Sequence, residues 1–221
     1  MKYIFLDFNG TVLDDVDLCL NLLNRMLTEK GHKPVSYDNY KEIFQFPVIE
    51  YYKKAGFTFE GYSFEELADY FIDEYTRRNN AECKIFEDFK DFVDLLHASG
   101  YKVVLCSASK LNLLIDQLNE FKIIQYFDDV IGLDNHFAAS KLELAKQYVS
   151  HSDIDLENSY FIGDTTHDAE VAVACGIKPL LVDRGHQSKE VLSKANSVIL
   201  GSLFETANYL KTINKNNKLL V

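Results

Sequence analysis

Four short apolar runs limit what this chain can fold into more than any other feature. They are Tyr3-Ile4-Phe5-Leu6, Tyr101 to Cys106, Tyr160-Phe161-Ile162 and Leu180-Leu181-Val182. None alternates apolar with polar residues, so each reads as a strand covered on both faces. From about Lys84 onward such runs alternate with helical patterns. Helices are expected over Glu87 to Ala98, Lys110 to Phe121, Leu142 to Val149 and Ala169 to Cys175, with a further short strand near Val130-Ile131. Strands that alternate with helices in this way imply an α/β fold with a doubly wound, Rossmann-like parallel sheet.

The stretch between the first and second runs does not follow that rhythm. Residues 16–80 show no strand pattern. Leu18, Leu22, Leu23, Met26 and Leu27 fall at helical spacing, and Gly31 stands where a helix ends. Pro47 opens a helical Val48-Ile49-Glu50-Tyr51-Tyr52, and Ser63-Phe64-Glu65-Glu66 reads as a helix cap with early acids. The expected organisation is an α/β core of residues 1–15 and 81–221, interrupted by a helical cap of residues 16–80. Lys211 to Val221 reads as a frayed tail.

At 221 residues and 47% hydrophobic, the chain can build one sizeable core and a small second unit. A formal net charge of −11 speaks against non-specific nucleic-acid binding. No apolar run reaches membrane-spanning length, so no membrane partner is expected. Cys19, Cys83, Cys106 and Cys175 form no metal-binding spacing, and their scatter favours a reducing compartment. The first strand ends in an acid and is no secretory leader, so a cytoplasmic location is expected. Oligomeric state is not legible.

Chemistry concentrates at strand ends, where ligands bind in open α/β sheets. The first run ends at Asp7-Phe8-Asn9-Gly10-Thr11, the second at Ser107-Ala108-Ser109, and the third at Gly163-Asp164, with Asp168 four residues on. Each has a bland reading: an Asp-x-Asn-Gly turn, a hydroxyl helix cap, acids at a helix start. Together they place three carboxylates at one sheet edge, which repel unless a cation joins them; hard oxygen donors in that number suit Mg²⁺. Lys141 opens the helix before the third run and supplies a basic group.

This set resembles the haloacid dehalogenase (HAD) superfamily of aspartyl-phosphate hydrolases. Asp7-Phe8-Asn9-Gly10-Thr11-Val12-Leu13-Asp14 is similar to its first motif, DxDGTLxD. Ser107 matches the second, Lys141 the third, and Gly163-Asp164-Thr165-Thr166-His167-Asp168 the fourth, GDxxxD. The helical insert is similar to the small cap of phosphoglycolate-phosphatase-like and phosphonatase-like members. The resemblance implies hydrolysis of a small phosphorylated metabolite, with Asp7 as nucleophile. It implies Mg²⁺ held by Asp7, the backbone carbonyl of Asn9 and Asp164, with Asp168 supporting the metal's waters or Lys141. Lys141, Ser107 and the backbone N–H groups of Ala108 and of residues after Asp7, including Gly10, would cradle the phosphate.

Residue 9 departs from the pattern. Family phosphatases carry a second aspartate there as general acid–base; asparagine cannot trade protons, a loss that typically costs about 10²–10⁴-fold. The sequence leaves several readings open. The protein is a slow phosphatase or one restricted to good leaving groups; another group, such as Asp14, Asp15 or His167, moves the proton; Asn9 is engineered to trap a ligand; Asn9-Gly10 deamidates; or the chain is a pseudophosphatase that binds phosphorylated ligands. A phosphonatase-like C–P hydrolase needs a cap lysine, for which Lys30, Lys33, Lys53 and Lys54 are the candidates. Phe44-Gln45-Phe46-Pro47 reads as a cap loop reaching inward or as cap core. His136 and His167 read as loop or surface residues.

Overall fold

A computed structural model describes residues 1–133 and 140–218. The chain opens with β1 (Lys2–Leu6) and, after a tight turn, β2 (Leu13–Asp14). Four helices follow: α1 (Val16–Glu29), α2 (Tyr37–Ile43), α3 (Val48–Ala55) and α4 (Phe64–Glu82). The chain returns through β3 (Lys84–Ile85) into α5 (Phe89–Ala98), β4 (Tyr101–Lys110), α6 (Leu111–Glu120), β5 (Asp129–Leu133), α7 (Lys141–Ser150), β6 (Tyr160–Gly163), α8 (Thr166–Ala174) and β7 (Lys178–Val182). It ends with α9 (Lys189–Leu192), β8 (Val198–Leu200) and α10 (Leu203–Lys218).

Six strands form one parallel sheet in the order β5-β4-β1-β6-β7-β8. Successive residues of β1 feed opposite layers, as the pleat dictates. Ile4 and Leu6 pack with Val103, Leu105 and Ile162 against Phe92 and Leu96 of α5 and Leu203 and Leu210 of α10. Tyr3 and Phe5 pack with Val104, Cys106 and Phe161 against Ala145 of α7 and Val171 and Ala172 of α8. The absence of alternation in the sequence is thus explained by two covered faces.

Register decides where the chemistry lands. Leu6 of β1 stands beside Leu105 of β4 on one side and Ile162 of β6 on the other. Asp7, Ser107 and Asp164 therefore emerge together at the carboxyl edge of three adjacent central strands.

The insert is helical throughout its described secondary structure and carries a second cluster. Val16, Leu23, Met26 and Leu27 of α1 pack with Tyr40, Tyr51, Tyr52, Phe57 and Leu67. Leu18 and Leu22 of the same helix belong to the core layer, so α1 is shared between the two. Ser63 and Glu66 form a full capping box that starts α4. The short strands β2 and β3 pair antiparallel at the base of the insert, with Leu13 opposite Ile85 and Asp14 opposite Lys84.

The structure extends the sequence reading at the C-terminus. Lys211 to Lys218 continue α10 rather than fraying, because Leu203, Ala207 and Leu210 anchor that helix in the core. Residues 219–221 lie outside the described residues. Strand β8 was too short and too polar at its edges to read. All four cysteines are buried and free. Among the described residues, no helix is long and apolar enough to cross a membrane.

Candidate active site

The turn after β1 sets the site. Thr11, Val12 and Leu13 N–H groups all donate to the Phe8 carbonyl, and Gly10 N–H donates to the Leu13 carbonyl. Gly10 has φ +70°, and a Cβ there would lie 2.3 Å from Asp164 Oδ2. Only glycine allows the turn to press against that carboxylate. Gly185 does the same from the other side, where a Cβ would meet Asp164 Oδ2 at 2.1 Å. Asp164 is fixed between them, accepting from His186 N–H at 2.6 Å and Thr11 Oγ1 at 3.3 Å.

Lys141, 5% exposed at the start of α7, bridges two carboxylates. Its ammonium donates to Asp7 Oδ1 and, at 2.5 Å, to Asp168 Oδ1. The other oxygen of Asp168 accepts from Thr165 N–H at 3.0 Å and Thr165 Oγ1 at 2.7 Å, closing the cap of α8. Both oxygens of Asp168 are thus engaged, and it orients Lys141. The same residue still offers an oxygen to the acidic cluster with Asp7 and Asp164. Ser107, buried in β4 where its register with β5 shifts, accepts from Ser109 N–H at 3.1 Å and keeps its own hydroxyl proton to donate. Ala108 follows it at the cavity wall.

Asp7, Asp164 and Asp168 each offer an oxygen within 4.8 Å of the others. Burial pushes the Asp7 carboxyl well above its usual range, against the pull of Lys141, and repulsion from Asp168 and Asp164 adds to it. Burial, with repulsion from Asp168 and Asp15, lifts Asp164 to about 6 in spite of His186. Asp168 is buried too, yet the Lys141 ammonium holds it below the usual carboxylate range. Desolvated oxygens with excess negative charge are the donor set that a small divalent cation joins, so the residues present fit such an ion.

Lys141→Met is expected to destabilise the metal-free protein by about 3–5 kcal/mol, because it strands two buried carboxylates. Urea unfolding in EDTA measures this; a loss below about 1 kcal/mol would mean that the bridge holds little.

The side chain of residue 9 enters a second network that sequence reasoning did not find whole. Asn9 Nδ2 donates to Asp15 Oδ2 and to the Tyr75 hydroxyl, both at 2.7 Å. Tyr75 in turn donates to Asp15 Oδ2 at 2.7 Å. Asp15 Oδ1 meets His186 Nε2 at 3.2 Å, and His186 Nδ1 meets the Tyr40 hydroxyl at 2.8 Å. Burial opposes charge on His186, but the Asp15 carboxylate carries its imidazole up to about 9. Burial likewise opposes the Asp15 charge, yet His186, Asn9 and Tyr75 hold it below the usual range.

One expectation is corrected. The Gly10 N–H does not face a phosphate: it is spent on the Leu13 carbonyl and on Asp15 Oδ1 at 3.0 Å. Gly10 serves the site by its missing side chain. Asp14 stands in β2, whereas His167 lines the cavity beside Phe46, ring centres 5.0 Å apart. His136 lies outside the described residues. The segment Phe44-Gln45-Phe46-Pro47 shares features of both readings: Phe44 packs against the insert's own cluster, and both rings line the cavity. Phe44 stacks on His186 at 4.8 Å and Phe46 lines the cavity, while Gln45 accepts from Lys54. None of Lys30, Lys33, Lys53 and Lys54 lines that cavity.

His186 and Tyr75 were missed because they lie far along the chain from Asp15. The signal for His186 was available: Asp183-Arg184-Gly185-His186 follows β7, another strand that ends at the same edge.

Residues 3–182 match the family model described as haloacid dehalogenase-like hydrolase. The chain belongs to that hydrolase family. It is 24% identical over 195 residues to a phosphoglycolate phosphatase of Cereibacter sphaeroides, covering 86% of this chain and 89% of the relative. It is 23% identical to a phosphoglycolate phosphatase of Caulobacter vibrioides, covering 91% and 87%. Its fold superposes on a haloacid dehalogenase-like family hydrolase from Streptococcus pneumoniae with a TM-score of 0.80 at 19% identity, over 95% of this chain and 98% of that one.

Proposed function

We propose that this chain is a Mg²⁺-dependent phosphatase that hydrolyses a small phosphate monoester through an aspartyl-phosphate on Asp7. The observation that carries this reading is the meeting of Asp7, Asp164 and Ser107 at one sheet edge, with Lys141 held against Asp7 by Asp168. The phosphatase names of its relatives agree with it.

Asp7 and Asp164, with the backbone carbonyl of Asn9, would hold the ion; when bound, Mg²⁺ supplies positive charge against the phosphoryl oxygens. The remaining work falls to the chain. An Asp7 carboxylate oxygen bonds to phosphorus as the ester P–O bond breaks, and the leaving oxygen departs as an alkoxide that takes its proton from water. Water then cleaves the aspartyl-phosphate, releasing inorganic phosphate and restoring Asp7. Lys141 neutralises phosphoryl charge, while the Ser107 hydroxyl and the Ala108 N–H donate to the oxygens. In such a transition state, positioning and charge matter more than covalent help. Asn9 positions through its amide and moves no proton, so leaving groups that depart unaided should react fastest.

With Mg²⁺, the protein is expected to release phosphate from acetyl phosphate. EDTA should cut that rate by at least about 10²-fold and added Mg²⁺ should restore it. Turnover that is indifferent to EDTA would sink the metal assignment, and no turnover with bound Mg²⁺ would sink the phosphatase reading.

A further inference from the structure

The cavity above Asp7 has a volume of about 580 Å³, roomier than a two-carbon acid requires. Its cap side is built from Phe44, Phe46, Val48, Phe64, Phe71 and Ile72. Phe46 and Ile72 of that wall are 39% and 41% exposed. The polar residues that the insert adds nearby are neutral: Thr76, Asn79 and Asn80. Asn79 Oδ1 on α4 and Gln117 Nε2 on α6 are buried without a hydrogen-bond partner.

The insert contributes no lysine, arginine or histidine to this wall. The basic side chains of the lining, Lys110, Lys141, His167 and His186, all come from the core. Lys141 is engaged with Asp7 and Asp168, and His186 with Asp15. His167 sits 3.2 Å from Glu170, and Lys110 shares the lining with Asp116 and Glu120. A carboxylate on the substrate, besides its phosphate, would therefore enter an apolar, acid-flanked space with no cation from the insert to receive it, which is costly.

We infer that the leaving group is a neutral, largely apolar or aromatic alcohol, and that the cap excludes phosphoglycolate, the substrate named for the relatives. This inference rests on the phosphatase reading for its chemistry, but its binding preference does not depend on turnover.

The test separates the two. Binding to the full-length protein with Mg²⁺ is measured by calorimetry for 2-phenylethylphosphonate and for phosphonoacetate, neither of which can be hydrolysed. The aryl compound is expected to bind at least about 10²-fold more tightly, since each methylene in an apolar pocket is worth roughly tenfold or more. In turnover, kcat/KM for 2-phenylethyl phosphate should exceed that for 2-phosphoglycolate by a similar factor. The glycolate has the better leaving group, so the opposite order is what chemistry alone would give. Equal or tighter binding of phosphonoacetate overturns the inference even if acetyl phosphate is hydrolysed. Aryl preference in binding without hydrolysis of any ester upholds the cavity's preference for an apolar group over a carboxylate and defeats the phosphatase reading.

Discussion

Asp7→Asn is expected to lower phosphate release from acetyl phosphate by at least about 10⁴-fold, because the amide has no oxygen able to displace at phosphorus. The fold should survive. Asp7 is desolvated and pressed by Asp164 and Asp168, so in the metal-free protein its charge is a burden that the isosteric amide removes. Lys141 keeps its contact with Asp168 at 2.5 Å. A melting temperature within about 4 °C of the parent is expected, which for a chain of this size is about 1–2 kcal/mol. A rate assay and a melt on the same preparation decide the matter. Residual turnover near that of the parent would place the nucleophile elsewhere, and a collapsed melt would make Asp7 a structural residue.

Asn9→Asp, the substitution that restores the family pattern, is expected to harm the protein rather than repair it. Asn9 Nδ2 gives its protons to Asp15 Oδ2 and to the Tyr75 oxygen. A carboxylate in its place would lie about as close to the Asp15 carboxylate as a hydrogen bond allows, with no proton between them. The loss of two donated hydrogen bonds and the new repulsion should cost about 2–4 kcal/mol in urea unfolding. Exchanging the pair, Asn9→Asp with Asp15→Asn, keeps one amide facing one carboxylate and should recover the part of that loss due to repulsion, while His186 gives up its charge as its carboxylate partner is neutralised. The exchanged variant also returns an acid to position 9 and should raise alkyl phosphate turnover by about 10²-fold or more. A stable, faster single variant would show that Asp15 accommodates the second charge. Asn9 and Asp15 are on this account a matched pair, and residue 9 is not a damaged position awaiting repair.

What the sequence disclosed follows from period and position. Each apolar run became a central strand, and because parallel strands align their ends, the residue after each run was bound to meet its neighbours at one edge. Asp7, Ser107 and Asp164 were legible for that reason. Lys141 and Asp168 were legible as residues, and their partnership only as one of two roles that the resemblance implied, since their contact joins two helix starts across the edge. Asp15 was visible as a nearby acid. Its anchors were not, because Tyr75 comes from α4 and His186 from the loop after β7, and only folding brings them together. Gly10 was misread because its N–H was assigned outward, whereas the tight turn sends it back to Leu13 and Asp15. The pairing of β2 with β3 left no trace at two residues apiece.

That small pairing has a consequence for descent. With Leu13 opposite Ile85 and Asp14 opposite Lys84, the chain departs and comes back through a single doorway. An exchange of genetic material between relatives with crossovers at those two strands would replace the wall that surveys the alcohol and leave Asp7, Ser107, Lys141 and Asp164 untouched. Asn9 and Asp15 would stay as well, but Tyr75 would travel with the exchanged piece. Selectivity and bond-breaking would then pass on almost independently, held together across the seam by Tyr75 on Asp15 and by Tyr40 on His186.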